Sequence, residues 1–136
     1  MGKLIHISEA ANIAVHALAL IASSDKLLNV TQIAGLLNLS KNHIAKVLQS
    51  LTRHNLVVST RGPKGGFKLL KKPQEVNLLD IFELIDGKFE AEHCRNQPDF
   101  PCPFADCIFG DERLRIYQSF TDYYSKRTLA DLKINN

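Results

Sequence analysis

The 136-residue chain has no apolar run that approaches the roughly 20 residues of a membrane span. Its most apolar stretch, residues 13–22, is interrupted by His16 and lacks a basic leader and a cleavage site. Those two absences predict a cytoplasmic protein with no membrane partner, whose thiols stay reduced. Cysteine is scarce: there are three, all between positions 94 and 107. An odd, clustered set in a reduced compartment fits a metal or redox site better than a disulfide framework. A phosphate-binding loop of the P-loop or dinucleotide type is missing, because the glycines at 62, 65 and 66 lead into a strand rather than a helix. His16, His43 and His54 are scattered, and no Ser/His/Asp order stands out. An enzyme is therefore not expected.

Net charge is small as well, only +3, but it is an average. Residues 1–72 hold ten Lys/Arg and two acids, Glu9 and Asp25, a net of +8. Residues 73–136 hold seven Lys/Arg and twelve acids, a net of −5. A basic first half suits a polyanion, and the acidic half serves another purpose. At 45% hydrophobic and 23% charged residues, the chain has enough apolar material for a core.

Residues 8–24 read as a helix capped by Ser8, with Ala11, Ala14, Val15, Leu18, Leu20 and Ile21 on its apolar face. Thr31 is expected to cap a short second helix carrying Ile33, Ala34 and Leu37, which breaks at Asn38-Leu39. Ser40 caps a third helix, whose Ile44, Val47, Leu48 and Leu51 form a full i, i+3, i+4, i+7 stripe. Positions 56–60 and 67–70 read as a hairpin around the Gly/Pro turn at 61–66. Asn77 and Asp80 open a fourth helix that Gly87 stops. Residues 90–107 show no periodicity. Leu114, Tyr117, Phe120 and Tyr124 then mark a long last helix, and Thr128 a final short turn. The fold class is mainly α: a winged helix-turn-helix with a two-stranded wing and a long C-terminal helix.

In such a fold the third helix enters the major groove. Its outer face offers Asn42 and Gln49 amides for base edges, and Lys41, Lys46 and Arg53 for phosphates, with His43 and Ser50 beside them. Ser40, Thr31, Arg61, Lys64 and Gly65 complete the expected contacts to double-stranded operator DNA. A polar helix face alone is usually just solvated, and a Gly-rich turn alone just a turn. Together, in this order and in a +8 segment, they point to nucleic acid.

The runs Ser40-Lys41-Asn42-His43-Ile44-Ala45-Lys46-Val47 and Arg61-Gly62-Pro63-Lys64-Gly65-Gly66-Phe67 resemble those of the Rrf2 family of bacterial winged-helix regulators. The resemblance extends to Asn77-Leu78-Leu79-Asp80-Ile81, the cysteine loop and Thr128-Leu129-Ala130-Asp131-Leu132, nearly the whole chain. It implies a transcriptional repressor and a homodimer in which Leu114, Tyr117, Phe120 and Tyr124 meet a partner helix. It also implies two regions: a DNA-binding domain over 1–72 and a cysteine-loop sensor and dimerisation region over 73–136.

Cys94, Cys102 and Cys107 have the spacing C-x7-C-x4-C. Three thiolates in one loop suit an iron–sulfur cluster or zinc, because soft sulfur donors favour these metals. The resemblance implies a two-iron or four-iron cluster that senses nitric oxide, redox state or iron. Cluster-assembly regulators of that family place a histidine ligand where this chain has Gly110. Nitric-oxide-sensing members use a carboxylate near the start of the first helix, donated by the other subunit, and Glu9 falls there. His93, Asp106 and Asp111 are rival fourth ligands. A base-reading acid of the assembly regulators is replaced here by Ala45, which implies a different operator. Two other readings stay open: a clusterless regulator responding to thiol oxidation or a small ligand, and a structural zinc loop that holds a dimer together.

Overall fold

A computed structural model describes residues 5–90 and 102–135. Its elements run in the order α1 (Glu9–Ser23), α2 (Val30–Leu37), α3 (Lys41–Arg53), β1 (Val57–Thr60), β2 (Gly66–Leu69), α4 (Leu78–Asp86) and α5 (Glu112–Lys126). Single 3-10 turns at Pro73–Glu75 and Leu129–Asp131 precede α4 and follow α5. This is the mainly α winged helix-turn-helix that the sequence predicts.

α1 is the central post. Ala11, Ala14, Ala17 and Leu18 on it have no exposed surface, and α3, α4, β2 and the last 3-10 turn all pack against it. The alanines make this possible, since a small side chain lets several neighbours approach one helix without leaving voids. Ser8 starts the helix as expected, its Oγ accepting the Ala11 N–H at 3.0 Å. One apolar cluster runs from α1 through Ile44, Leu48 and Leu51 of α3 to Ile81 and Phe82 of α4 and Leu129. The core thus takes side chains from both sides of position 72. The C-terminal end is tied to the start of α4: the Leu78 N–H donates to the Arg127 carbonyl at 2.9 Å, and the Leu129 N–H to the Val76 carbonyl at 3.0 Å.

α2 begins differently from the expectation. Its cap is Asn29, not Thr31. Asn29 Oδ1 accepts the Gln32 N–H at 2.8 Å, and Gln32 Oε1 accepts the Asn29 N–H at 2.9 Å. The reciprocal pair satisfies two donors at once, which a threonine already inside the first turn cannot do. Thr31 is an exposed first-turn residue. Asn29→Ala is therefore expected to cost about 1 kcal/mol of stability. Thr31→Ala should stay within about 0.5 kcal/mol. Urea unfolding of both variants checks the assignment.

Candidate nucleic-acid interface

The turn between α2 and α3 is three residues long and sets the angle at which α3 projects. Asn38 adopts the left-handed conformation, with φ of 55°, and the Leu39 N–H returns to the Ala34 carbonyl at 3.0 Å. This is a helix-ending motif that asparagine tolerates better than most residues. Ser40 then caps α3, its Oγ accepting the His43 N–H at 3.2 Å.

α3 divides cleanly into two faces. Ile44, Val47, Leu48 and Leu51 are buried against α1 and α2. Lys41, Asn42, His43, Lys46, Gln49 and Arg53 are all exposed, while Ser50 is half-buried. No acidic residue lies on the helix, so the exposed face is basic along its length.

The wing pairs Val57 with Leu69 and Thr60 with Gly66 in antiparallel register. Its turn closes through the Gly65 N–H, which donates to the Gly62 carbonyl at 2.9 Å. A Cβ on Gly65 would lie 2.1 Å from the Thr60 carbonyl oxygen, and one on Gly66 within 2.7 Å of the Leu28 backbone. The second approach is close because the Phe67 N–H donates to the Leu28 carbonyl at 2.9 Å, pinning the wing to the α1–α2 connection. Gly65 thus serves the turn itself: its amide is occupied within the turn, and the missing side chain is what the turn requires. Arg61 and Lys64 are exposed at the tip.

Between α3 and the wing lies an open groove of about 390 Å³, lined by Gln49, Thr52, Arg53, Ser59 and Phe67. Thr52 and Ser59 were not singled out in the sequence. Ser59 lines the groove beside Phe67, its antiparallel partner in the wing.

Glu9 is exposed at the first position of α1. With Ala10 and Ile13 it meets His43, Lys46 and Val47 of α3 around a shallow recess of about 160 Å³. Cys102 and Cys107 are exposed, as are Asp106 and Asp111. Among the described residues no three His, Cys, Asp or Glu side chains gather as a metal site, so Glu9, Cys102 and Cys107 do not converge within one chain. Cys94 and His93 lie outside the described residues.

The stripe on α5 divides in two. Phe120 and Tyr124 pack on the chain's own α4, with ring centroids 6.4 Å and 5.2 Å from Phe82. Tyr117 is half-buried, and Leu114 is 46% exposed.

Residues 7–135 match the Rrf2 family model, described as an iron-dependent transcriptional regulator. The chain belongs to the Rrf2 family. It is 32% identical over 128 residues to a helix-turn-helix-type transcriptional regulator of Aquifex aeolicus, covering 92% of this chain and 89% of that one. It is 34% identical to the transcriptional regulator NsrR of Oceanobacillus iheyensis over 81% of this chain and 76% of the relative. Among solved structures, CymR, the global cysteine regulator of B. subtilis, superposes with a TM-score of 0.80 at 21% identity, covering 93% of this chain and 95% of that one. IscR of T. potens superposes with a TM-score of 0.72 at 21% identity, over 93% and 85%. These relatives are regulators of transcription, not enzymes, and this Rrf2 chain shares their fold. No helix among its described residues is long and apolar enough to cross a membrane.

Proposed function

We propose that this Rrf2 regulator is a cytoplasmic homodimer that binds operator DNA through α3 and the wing and represses transcription. The observation that carries the reading is the division of α3, with four apolar side chains buried and six polar or basic ones exposed on one helix. Asn42 and Gln49 are suited to base edges; Lys41, Lys46 and Arg53, with Arg61 and Lys64 on the wing, are suited to phosphates. Ser40 stands at the exposed N-terminus of α3, where a helix favours an anion. Thr31 and Gly65 contribute shape rather than charge.

The second half of the reading concerns the cysteines. Cys94, Cys102 and Cys107 would hold an iron–sulfur cluster, and Glu9 of the partner would complete the ligand set. Three soft donors in one loop, the exposure of the two described thiols and the family resemblance support it. A bound cluster supplies a centre that nitric oxide, oxygen or iron loss degrades. The chain's own part would be to place the thiolates ahead of α5. A clusterless, thiol-responsive regulator is the second reading, favoured by the exposure of Cys102 and Cys107.

Three results test these statements. Lys46→Ala should weaken binding to the chain's own promoter roughly fivefold to tenfold and flatten the salt dependence by about one unit per protomer. Anaerobically purified protein should be brown, with iron and sulfide in comparable amounts, and Cys102→Ala should remove the colour. Colourless protein with one zinc per chain would overturn the cluster. An unchanged spectrum and cluster stability in Glu9→Ala would reject Glu9 as a ligand.

A further inference from the structure

One edge of the wing is left open. The Leu70 N–H donates to the Leu56 carbonyl at 3.0 Å, which makes Val58–Lys68 and Thr60–Gly66 the hydrogen-bonded pairs of the hairpin. Phe67 and Leu69 therefore turn their N–H and C=O groups off the other edge of β2. Phe67 meets the α1–α2 connection there, its N–H donating to the Leu28 carbonyl. In that antiparallel register the next partner, opposite Leu69, is Lys26. Lys26 is already committed: Ser24 Oγ accepts its N–H at 3.2 Å and donates to its carbonyl at 2.7 Å. The connection closes into a turn of its own. Among the described residues no hydrogen bond meets the Leu69 N–H or C=O.

The open pair borders a groove of about 410 Å³, within the range of ordinary ligand sites. Ile21, Leu27 and Pro73 give the groove an apolar lining. Lys26, Lys68 and Lys71 line it as well, against one acid, Asp25. All three lysines are exposed, so the rim is basic.

These features select an occupant. A donor and an acceptor side by side on one strand residue match the acceptor and donor of another peptide chain, whereas a phosphate backbone offers acceptors alone. The lysines then decide which peptide. A second copy of this edge would bring the same lysines and be repelled, which is how natural edge strands avoid pairing with their like. A strand bearing acids would be attracted, since opposite charges across a strand pair are favourable.

We propose that this groove docks an extended acidic segment of another protein, which adds as a strand to the free edge of β2 at Leu69. The segment's backbone takes the place in the ladder that Lys26 leaves empty. Its acids meet Lys26, Lys68 and Lys71, and its apolar side chains cover Ile21 and Leu27. The site uses the edge of β2 away from β1, and it rests on neither the operator reading nor the cysteine reading.

The test uses the full chain and a blocked pentapeptide probe, Glu-Val-Glu-Val-Glu, at millimolar concentration. The probe should slow hydrogen exchange at the Leu69 amide by at least about tenfold and leave the amides of α3 unchanged. The same probe with methylated backbone nitrogens should give no protection, and neither should Lys-Val-Lys-Val-Lys. Lys26→Glu/Lys71→Glu changes only exposed side chains, and it should weaken the acidic probe about fivefold to tenfold while admitting the basic one. A methylated probe that protects Leu69 as well as the unmodified one overturns strand addition. Two other results overturn the proposal by naming a different occupant. Protection of Leu69 by operator DNA and not by the probe would make the groove a duplex contact. Protection that rises with protein concentration alone would make it a contact between copies of this chain.

Discussion

Leu48→Ala should lower stability by about 3–4 kcal/mol, the cost of a cavity at a fully buried leucine. Leu48 has no exposed surface and sits on the inner face of α3, within the cluster that joins α3 to α1. The neighbours that would have to collapse into the space belong to several elements, so relaxation is limited. For a domain of this size the melting temperature should fall by roughly 10 °C. α3 keeps its exposed residues, so at temperatures where the variant is folded its operator affinity should stay near that of the wild type. Calorimetry and DNA titration of the same sample check both halves. A drop of less than a degree would mean that α3 is not held by this core.

Gly65→Ala should show the opposite pattern. The new Cβ would meet the Thr60 carbonyl oxygen at 2.1 Å, a contact with backbone that no side-chain rotation relieves. The turn that places Arg61 and Lys64 has to open. The damage is local, because the hairpin is held separately by the Phe67–Leu28 bond and by Leu56 and Val57 in the core. Operator affinity should fall at least about tenfold, the equivalent of losing one or two phosphate contacts per wing. The melting temperature should fall much less than in Leu48→Ala. Unchanged affinity would remove the wing from the interface.

The contrast between these variants shows what the sequence makes legible. The stripe Ile44, Val47, Leu48 and Leu51 has only one helical reading, and Ser8, Ser40 and Asn77 are capping residues directly before apolar periods. Their helices begin where the pattern says. α2 does not: Thr31 is the hydroxyl nearest its apolar positions, but the cap is Asn29, whose box partner Gln32 stands at the diagnostic third position. The aromatic stripe on α5 gives the helix but not its neighbour, so Phe120 and Tyr124 turn out to cover α4. The hydrogen bond from the Ser8 N–H to the Asp86 carboxylate has no local signature at all. It joins residues 78 apart, and only packing reveals it. The cysteine spacing names a chemistry, soft donors in one loop, but it carries no mark of a further donor distant in sequence.

The charge asymmetry bears on the whole molecule. The +8 half carries α3 and the wing, and the −5 half carries α4, the cysteine loop and α5. Next to a duplex, that distribution orients the protein as well as attracting it.

The measurement that tests the central claim most directly is the salt dependence of binding to the DNA upstream of the chain's own coding sequence. If two protomers each set Lys46, Arg53, Arg61 and Lys64 against phosphates, log K should fall with log salt at a slope of about −7, and Lys46→Ala should flatten it by about one unit per protomer. Binding that is indifferent to salt, or a slope that Lys46→Ala leaves unchanged, would contradict the account.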